Sequence, residues 1–282
     1  MSADQIKARS TTTMRGPCSL AFFLQLVGSA LALRLPAELA PASHTRRSAI
    51  ALAGGVVLPA ILGGGPTAAV AAEETIKVYF GAGCFWHVQH EFVTEEVATL
   101  KRSGPQITAV SGYAGGQRLG DGGKVCYHNP RKFADYGQLG HAEAVQVEIP
   151  IKALPQFSKK YFDLFGSRGF RHDPQDRGGE YRSVLGLPGG MSSPYFEVVQ
   201  KAADASPGGM QLSSGRGDEP DTIGDKLVLV YDSNRFPFYT GEVYHQFHDD
   251  FMGAPYGRAY NALRDSHLKD GLLAGTGCPD MI

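Results

Sequence analysis

A strand, a glycine-rich turn and a helix open the part of the chain that can build a core. Residues 75–80 alternate and are rich in β-formers, Gly81-Ala82-Gly83 interrupts them, and apolar residues then recur at helical spacing from Phe85 to Val97. This order places Cys84 at the predicted first turn of the helix, where unpaired backbone N–H groups and the helix dipole favour a thiolate. Most cysteines are small buried hydrophobes, so it is the position of Cys84 that indicates a nucleophile.

The first 72 residues differ in composition from the rest of the chain. They carry several Lys and Arg residues against two acids, and they contain apolar stretches at residues 18–33 and 48–72. The second stretch follows Arg46-Arg47 and ends in small residues, which resembles a twin-arginine export signal. We therefore predict a targeting segment over residues 1–72 and one globular domain with a C-terminal tail over residues 73–282.

Two successive signals predict import into a plastid and then export to the thylakoid lumen. A single twin-arginine signal would instead indicate a bacterial periplasm. A retained membrane anchor over residues 48–72 is a further alternative, but the Gly and Pro content of that stretch argues against it. We expect no stable membrane insertion after processing, and Cys18 is removed with the segment.

The domain that remains is mildly acidic, which argues against nucleic acid as a partner. It contains three cysteines, Cys84, Cys126 and Cys278. Three cysteines are too few for a disulfide-stapled scaffold, and an odd number leaves at least one thiol. Thiol chemistry is therefore the first function class to consider.

The predicted helices and strands do not alternate regularly along the chain. This favours an α+β fold, a two-layer α/β sandwich with a mixed sheet, over a doubly wound parallel sheet. Residues 206–224 are predicted to be a polar loop, and the chain after Phe251 an irregular C-terminal tail. Further strands are predicted at residues 106–112, 142–149, 181–187 and 226–231, and helices at residues 154–165 and 194–205.

Five sequence motifs follow one another over nearly the whole of residues 73–282. They are GCFW at residues 83–86, SGYAGG at 111–116, GHAEAVQV at 140–147, EYRSV at 180–184 and FYTGEVYHQ at 238–246. In sequence and in order they resemble the motifs of the A-type peptide methionine sulfoxide reductases. The resemblance implies reduction of methionine S-sulfoxide, peptide-bound or free, to methionine, without a cofactor.

The resemblance assigns the nucleophile to Cys84, a cage for the substrate methyl group to Phe85 and Trp86, and the acid to Glu143. The chemistry of the residues agrees with these roles. A sulfoxide sulfur becomes electrophilic when its oxygen is protonated or hydrogen-bonded, so the reaction needs a carboxylic acid kept neutral in an apolar pocket. The family's remaining polar positions fall on Asp176 and Tyr181.

The chain departs from the family's pattern at two places. Gln89 stands where the family carries Glu, and we interpret it as a support for the helix rather than as a chemical group. Residues 131–133, Arg-Lys-Phe, replace a segment that holds a site tyrosine in the family. Tyr136 lies nearby and is the candidate to replace the missing hydroxyl.

The implied reaction leaves a sulfenic acid on Cys84, which a second thiol must resolve. Cys278, in a glycine-rich stretch, is the first candidate, and Cys126 is the alternative. The resemblance then implies that a thioredoxin-like reductant reduces the resulting disulfide. We expect a monomer that repairs oxidised proteins.

Two other function classes remain open at this point. Cys84, His87 and His90 recur at three-residue spacing, as do His245 and His248, and such groups are able to bind zinc. The departures from the family's pattern also fit a non-enzymatic relative that only binds sulfoxides, although the intact Cys84 and Glu143 argue against it.

Overall fold

The computed structural model describes residues 73–279, so the predicted targeting segment lies outside the described residues. This part of the chain forms a seven-stranded sheet and four α-helices. The strands are β1 (Thr75–Gly81), β2 (Val110–Ala114), β3 (Ala142–Pro150), β4 (Val184–Leu187), β5 (Gln211–Ser214), β6 (Leu227–Asp232) and β7 (Tyr239–Thr240). The helices are α1 (Phe85–Leu100), α2 (Leu154–Asp163), α3 (Phe196–Asp204) and α4 (Arg258–Lys269).

The sheet is mixed, with the strand order β5-β6-β4-β1-β3-β2-β7. β1 lies at the centre and pairs antiparallel with both β3 and β4, whereas β6 runs parallel to β4 and β5. This arrangement confirms the predicted α+β fold. Among residues 73–279, none of the helices has the length and apolar character that a membrane span requires.

Aromatic side chains join α1 and α2 to one face of the sheet. The ring of Phe80 on β1 stacks on Phe92 of α1 with centroids 4.5 Å apart, and it lies 5.1 Å from Tyr161 of α2. Phe92 in turn contacts Phe157. All four side chains are buried, so α1 is fixed against the central strand that leads into it.

Two buried polar side chains hold α1 in place at its middle and its end. Glu96 accepts hydrogen bonds from the backbone N–H groups of Thr108 and Ala109 and pairs with Arg102 at 2.7 Å. Gln89 accepts the N–H of Phe247 at 2.6 Å through its side-chain oxygen. Gln89 therefore has the supporting position that the sequence predicted for it.

Several features of the fold differ from the sequence prediction. β4 begins at Val184 rather than at residue 181, because Gly179–Tyr181 forms a short 3₁₀ helix. β2 begins at Val110 rather than at residue 106, because Gly104–Gln106 forms a short 3₁₀ helix instead. β5 lies inside the predicted polar loop, where its exposed side chains show no apolar alternation. α4 lies in the predicted irregular tail, which is irregular only at residues 251–257 and after Lys269.

The sequence did not predict the helix α4, because few of its residues are apolar. Only Tyr260 and His267 are buried along it. A nitrogen of the His267 ring lies 2.9 Å from the carbonyl oxygen of Ile107, and the ring packs against Phe247. This helix is thus held by a polar contact, whereas surface helices are usually held by an apolar stripe.

Candidate active site

The turn between β1 and α1 depends on two glycines. Gly83 has a φ of +82°, and a Cβ there would lie 3.0 Å from the Cδ atom of Arg171. At Gly81 a Cβ would lie 2.4 Å from the carbonyl oxygen of Glu143. These positions require glycine because larger residues would push the turn away from β3 and from Arg171.

Cys84 is the half-buried N-cap residue of α1, as the sequence predicted. Two carboxyl groups bind the backbone beside it. The N–H of Phe85 donates to Oε2 of Glu143 at 2.9 Å, and the N–H of Cys84 donates to the carboxylate of Asp176. The structure therefore brings Glu143 and Asp176 to the same helix start as the thiol.

Glu143 lies on β3 directly opposite Tyr113 of β2, and its side chain is buried. Burial raises its pKa from an ordinary 4.5 to about 8, and the nearby Asp176 charge adds to the rise. Hydrogen bonds from Phe85 and Tyr136 oppose it but do not cancel it. Glu143 is therefore a neutral carboxylic acid at neutral pH, which makes it a proton donor.

Tyr136 brings a hydroxyl to this acid. Its OH group donates to Oε1 of Glu143 at 3.1 Å, and its ring stacks on Tyr113 with centroids 4.6 Å apart. The backbone fixes this placement, because the N–H of Tyr136 donates to the carbonyl of Cys126 at 2.8 Å. The structure thus puts a tyrosine at the acid although residues 131–133 lack one.

Asp176 and Tyr181 complete the predicted polar set, and both are half-buried. Burial raises the pKa of Asp176 to about 6, with a further rise from the charge of Asp173. Tyr181 is near enough to Tyr136 to add to the rise in the pKa of that hydroxyl. Asp176 therefore lies at the start of α1, and Tyr181 lies near Tyr136, which binds Glu143.

Aromatic rings form the wall beside Cys84. The ring of Phe85 lies 5.2 Å from His245, and Trp86 lies 5.7 Å from the same histidine. Trp86 is also covered by His248, stacked at 4.2 Å, and by Phe251 at 5.2 Å. Both predicted cage residues therefore belong to one aromatic cluster.

The sequence analysis gave no role in this wall to four of its side chains, Tyr113, Tyr127, Glu242 and His245, and it considered His245 only as a possible zinc ligand. Glu242 accepts a hydrogen bond from the hydroxyl of Tyr113 at 2.6 Å and another from the N–H of Tyr127 at 2.8 Å. Tyr127 and His245 pack ring against ring, 4.2 Å apart. Tyr113, Glu242 and His245 lie inside the recognised motifs, and this was the sequence signal that could have identified them. Tyr127 lies outside the motifs, so no sequence signal marked it.

The two candidate resolving cysteines are joined to each other. Cys126 and Cys278 form a disulfide with a Cα–Cα distance of 5.6 Å. In this state neither side chain is the thiol that a resolving role requires. Cys126 immediately precedes Tyr127, whose ring lies 6.3 Å from Phe85, so the disulfide is close in sequence to the wall of the site.

The fold does not assemble the histidines that the sequence spacing grouped with Cys84. His90 stacks on Tyr256 at 3.7 Å, whereas His87 stacks on His172 at 3.8 Å. His245 lies in a short 3₁₀ helix rather than in an α-helix. Among the described residues, His87 instead has ligand atoms close to those of His172 and Asp250.

Comparison with known proteins adds to the geometry. The family model for peptide methionine sulfoxide reductase matches residues 76–187, the range that holds Cys84, Glu143 and Asp176. Over this range the chain is similar to peptide methionine sulfoxide reductases.

Relatives in this reductase family are distant. The peptide methionine sulfoxide reductase MsrA of Geobacter sulfurreducens is 29% identical over 111 residues, which cover 39% of this chain and 59% of that protein. The corresponding protein of Geobacter metallireducens is 26% identical over 175 residues, covering 61% and 89%. The chain thus spans about three fifths of the first relative's length.

The crystal structure of reduced Mxr1 from Saccharomyces cerevisiae aligns with a TM-score of 0.40 at 19% identity, over 62% of this chain and 83% of that one.

The raised pKa of Glu143 predicts a stability that falls with pH. The folded protein keeps this proton up to about pH 8, whereas the unfolded chain releases it near pH 4.5, so folding loses stability as pH rises through that window. The free energy of unfolding is measured with urea at about pH 5 and about pH 8. Between these pH values it should fall more in the parent than in Glu143→Gln, by on the order of 3 to 5 kcal/mol. Equal declines in the two proteins would contradict the assignment.

Proposed function

We propose that this protein reduces methionine S-sulfoxide to methionine, with Cys84 as nucleophile and Glu143 as acid. One observation carries the proposal: a buried carboxyl group with a pKa of about 8 binds the first turn of the helix that begins behind the thiol. A neutral acid within reach of a helix-start cysteine is the combination that a sulfoxide requires.

The reduction of the sulfoxide needs only the thiolate of Cys84 and the proton of Glu143. The Cys84 thiolate attacks the substrate sulfur while Glu143 donates a proton to the sulfoxide oxygen. This attack forms a bond between the two sulfur atoms. That bond and the sulfur–oxygen bond of the substrate then break as the oxygen bonds to the Cys84 sulfur, which leaves methionine and a sulfenic acid on Cys84. The substrate sulfur gains two electrons and the cysteine sulfur loses two. Hydrogen bonds from Tyr136 and Phe85 hold the acid in position for this transfer.

The aromatic wall supplies a site for the substrate's methyl group. Phe85 and Trp86 are buried, and aromatic faces bind a small apolar group such as an S-methyl. Next to them, Tyr244 and Phe251 are exposed on the surface. Exposed aromatic side chains at the mouth of the site favour a substrate methionine that is part of a peptide, with free methionine sulfoxide as the alternative.

For recycling, we propose that a thiol of the Cys126–Cys278 pair resolves the sulfenic acid after the pair has been reduced. Cys278 is the first candidate because it lies in a glycine-rich stretch and is half-exposed, whereas Cys126 is fully buried. Attack on the sulfenic acid forms a disulfide and releases water. A thioredoxin-like dithiol then reduces the disulfide by exchange. The protein would in this way repair oxidised proteins.

We also propose an oxidising destination for the chain, the thylakoid lumen of a plastid or, as the alternative, a bacterial periplasm. The twin-arginine-like pattern of residues 46–72 supports it. A disulfide that links positions 152 residues apart is also typical of such compartments. Fractionation of cells that express the full chain with a C-terminal tag would locate it.

Substitutions at the two central residues test the proposed function. Cys84→Ser should abolish reduction of methionine S-sulfoxide, because a serine hydroxyl is not comparably acidic. Glu143→Gln should slow the step by about a hundredfold or more, the usual contribution of a positioned proton donor. Glu148→Gln, which changes a half-exposed carboxylate on the same strand, is the matched control and should keep the parent rate. Retained turnover in Cys84→Ser would refute the proposal.

Recycling is tested separately with two reductants. Cys278→Ser should consume one equivalent of sulfoxide and then stall with thioredoxin, and the Cys84 sulfenic acid should become trappable by dimedone. Dithiothreitol should restore much of the turnover, because a small dithiol attacks the sulfenic acid directly. If Cys126→Ser stalls and Cys278→Ser does not, Cys126 is the resolving residue. If neither stalls, an external thiol reduces Cys84 without an internal partner.

A further inference from the structure

Three potential metal ligands from separate segments meet beside α1. Nδ1 of His87 and Nε2 of His172 each lie 3.6 Å from Oδ2 of Asp250. The three ligand atoms all lie within 4.8 Å of one another. The two nitrogen–oxygen distances are too long for hydrogen bonds. The carboxylate instead accepts the hydroxyl of Tyr256 at Oδ2, 2.5 Å away, and the N–H of Met252 at Oδ1, 2.9 Å away.

These distances match the size of a zinc site. Zinc bonds to nitrogen and carboxylate oxygen are about 2.0 to 2.2 Å long, and tetrahedral geometry therefore separates ligand atoms by about 3.3 to 3.6 Å. Two imidazoles and a carboxylate form a ligand set that zinc commonly uses, with water in the fourth position. The 3.6 Å spacings at Asp250 lie at the upper end of this range, and the ligand atoms of His87 and His172 lie within 4.8 Å of each other.

The surroundings of the cluster also favour a cation. The Asp250 side chain is only 4% exposed, whereas that of His172 is 37% exposed and gives an ion access from solvent. Tyr256 donates its hydroxyl to Asp250 at 2.5 Å and so orients the carboxylate from outside the ligand set. Asp173, the next residue after His172 in the chain, adds a further acidic side chain.

Occupancy of this cluster would bear directly on the aromatic wall. Asp250 is flanked by His248 and Phe251, which cover the ring of Trp86 at 4.2 and 5.2 Å. His87 lies next to Trp86 on α1. An ion held by His87, His172 and Asp250 would therefore tie the covering segment, residues 248–251, to the helix that carries Trp86.

We propose that His87, His172 and Asp250 form a binding site for a zinc-class divalent cation that holds residues 248–251 closed over Trp86. The bound ion would block the methyl cage and inhibit turnover reversibly. The binding and the closure stand on the geometry alone, whereas the inhibition rests on the proposed function.

Zinc affinity is measured first, in full-length protein carrying Cys18→Ser and Cys84→Ser, so that the cysteines outside the disulfide do not compete for the metal. Titration against a chromophoric chelator should give one zinc ion per chain. His172→Asn, at an exposed position, should weaken this binding at least about tenfold. His128→Asn is the matched control, because this half-exposed histidine pairs with Asp135 rather than with the cluster, and it should leave zinc binding unchanged. Equal affinity in the parent and His172→Asn, or an equal loss in His128→Asn, would overturn the site.

Closure is measured by fluorescence, because Trp86 is the only tryptophan in the chain. Zinc should lower the acrylamide quenching constant of Trp86 by roughly twofold in the same background, as the closed population grows. It should have no effect in His172→Asn. Site-specific binding without a change in quenching would refute the closure.

Inhibition is then measured in protein that retains Cys84. Micromolar zinc should lower the turnover of the parent, a chelator should restore it, and His172→Asn should resist the metal while keeping the parent's zinc-free rate. If zinc inhibits both proteins equally, it acts through the thiol and the regulatory part of the proposal fails. Absence of turnover in the zinc-free parent would instead refute the proposed function, and the binding and fluorescence results would still stand.

Discussion

The hydrogen bond between the Glu143 carboxyl and the N–H of Phe85 is the contact on which the site depends. It joins the middle of the sheet to the start of α1 and occupies one of the unpaired N–H groups of that helix. Because the carboxyl is buried, its charged form is disfavoured even at a helix N-terminus, where an anion would ordinarily be stabilised. The fold thereby places a neutral acid beside Cys84, whose proposed role needs a thiolate.

The surrounding structure maintains that contact from several sides. Gly81 lets β1 approach the backbone of Glu143 closely, and Gly83 turns the chain into α1 past Arg171. On the far side, Asp176 binds the N–H of Cys84, so both carboxyl groups hold the same helical turn. Tyr136 closes the network from a loop that Cys126 fixes through its backbone and its disulfide. A change in any one of these would move the acid relative to the thiol.

Local sequence signals were sufficient for the parts of the fold with strong periodicity. β1, α1 and β3 were predictable because alternation, a glycine turn and an apolar stripe mark them, and Cys84 and Glu143 lie on them. The polar edge strand β5 and the weakly apolar helix α4 carry no such pattern. β5 is held by its parallel pairing with β6, and α4 is held by the contact of His267 with Ile107. The disulfide and the grouping of His87 with His172 depend on contacts between distant segments, which spacing along the chain does not encode.

The pH dependence of the sulfoxide step tests the central claim most directly. Methionine formed in a single turnover is measured by rapid quench, with reduced protein in excess of methionine S-sulfoxide, from about pH 6 to about pH 10. If neutral Glu143 is the proton donor, the rate should fall about tenfold per pH unit above an apparent pKa near 8, and this fall should be absent from the slower Glu143→Gln protein. A parent rate that stays level or rises through pH 8 would contradict the account.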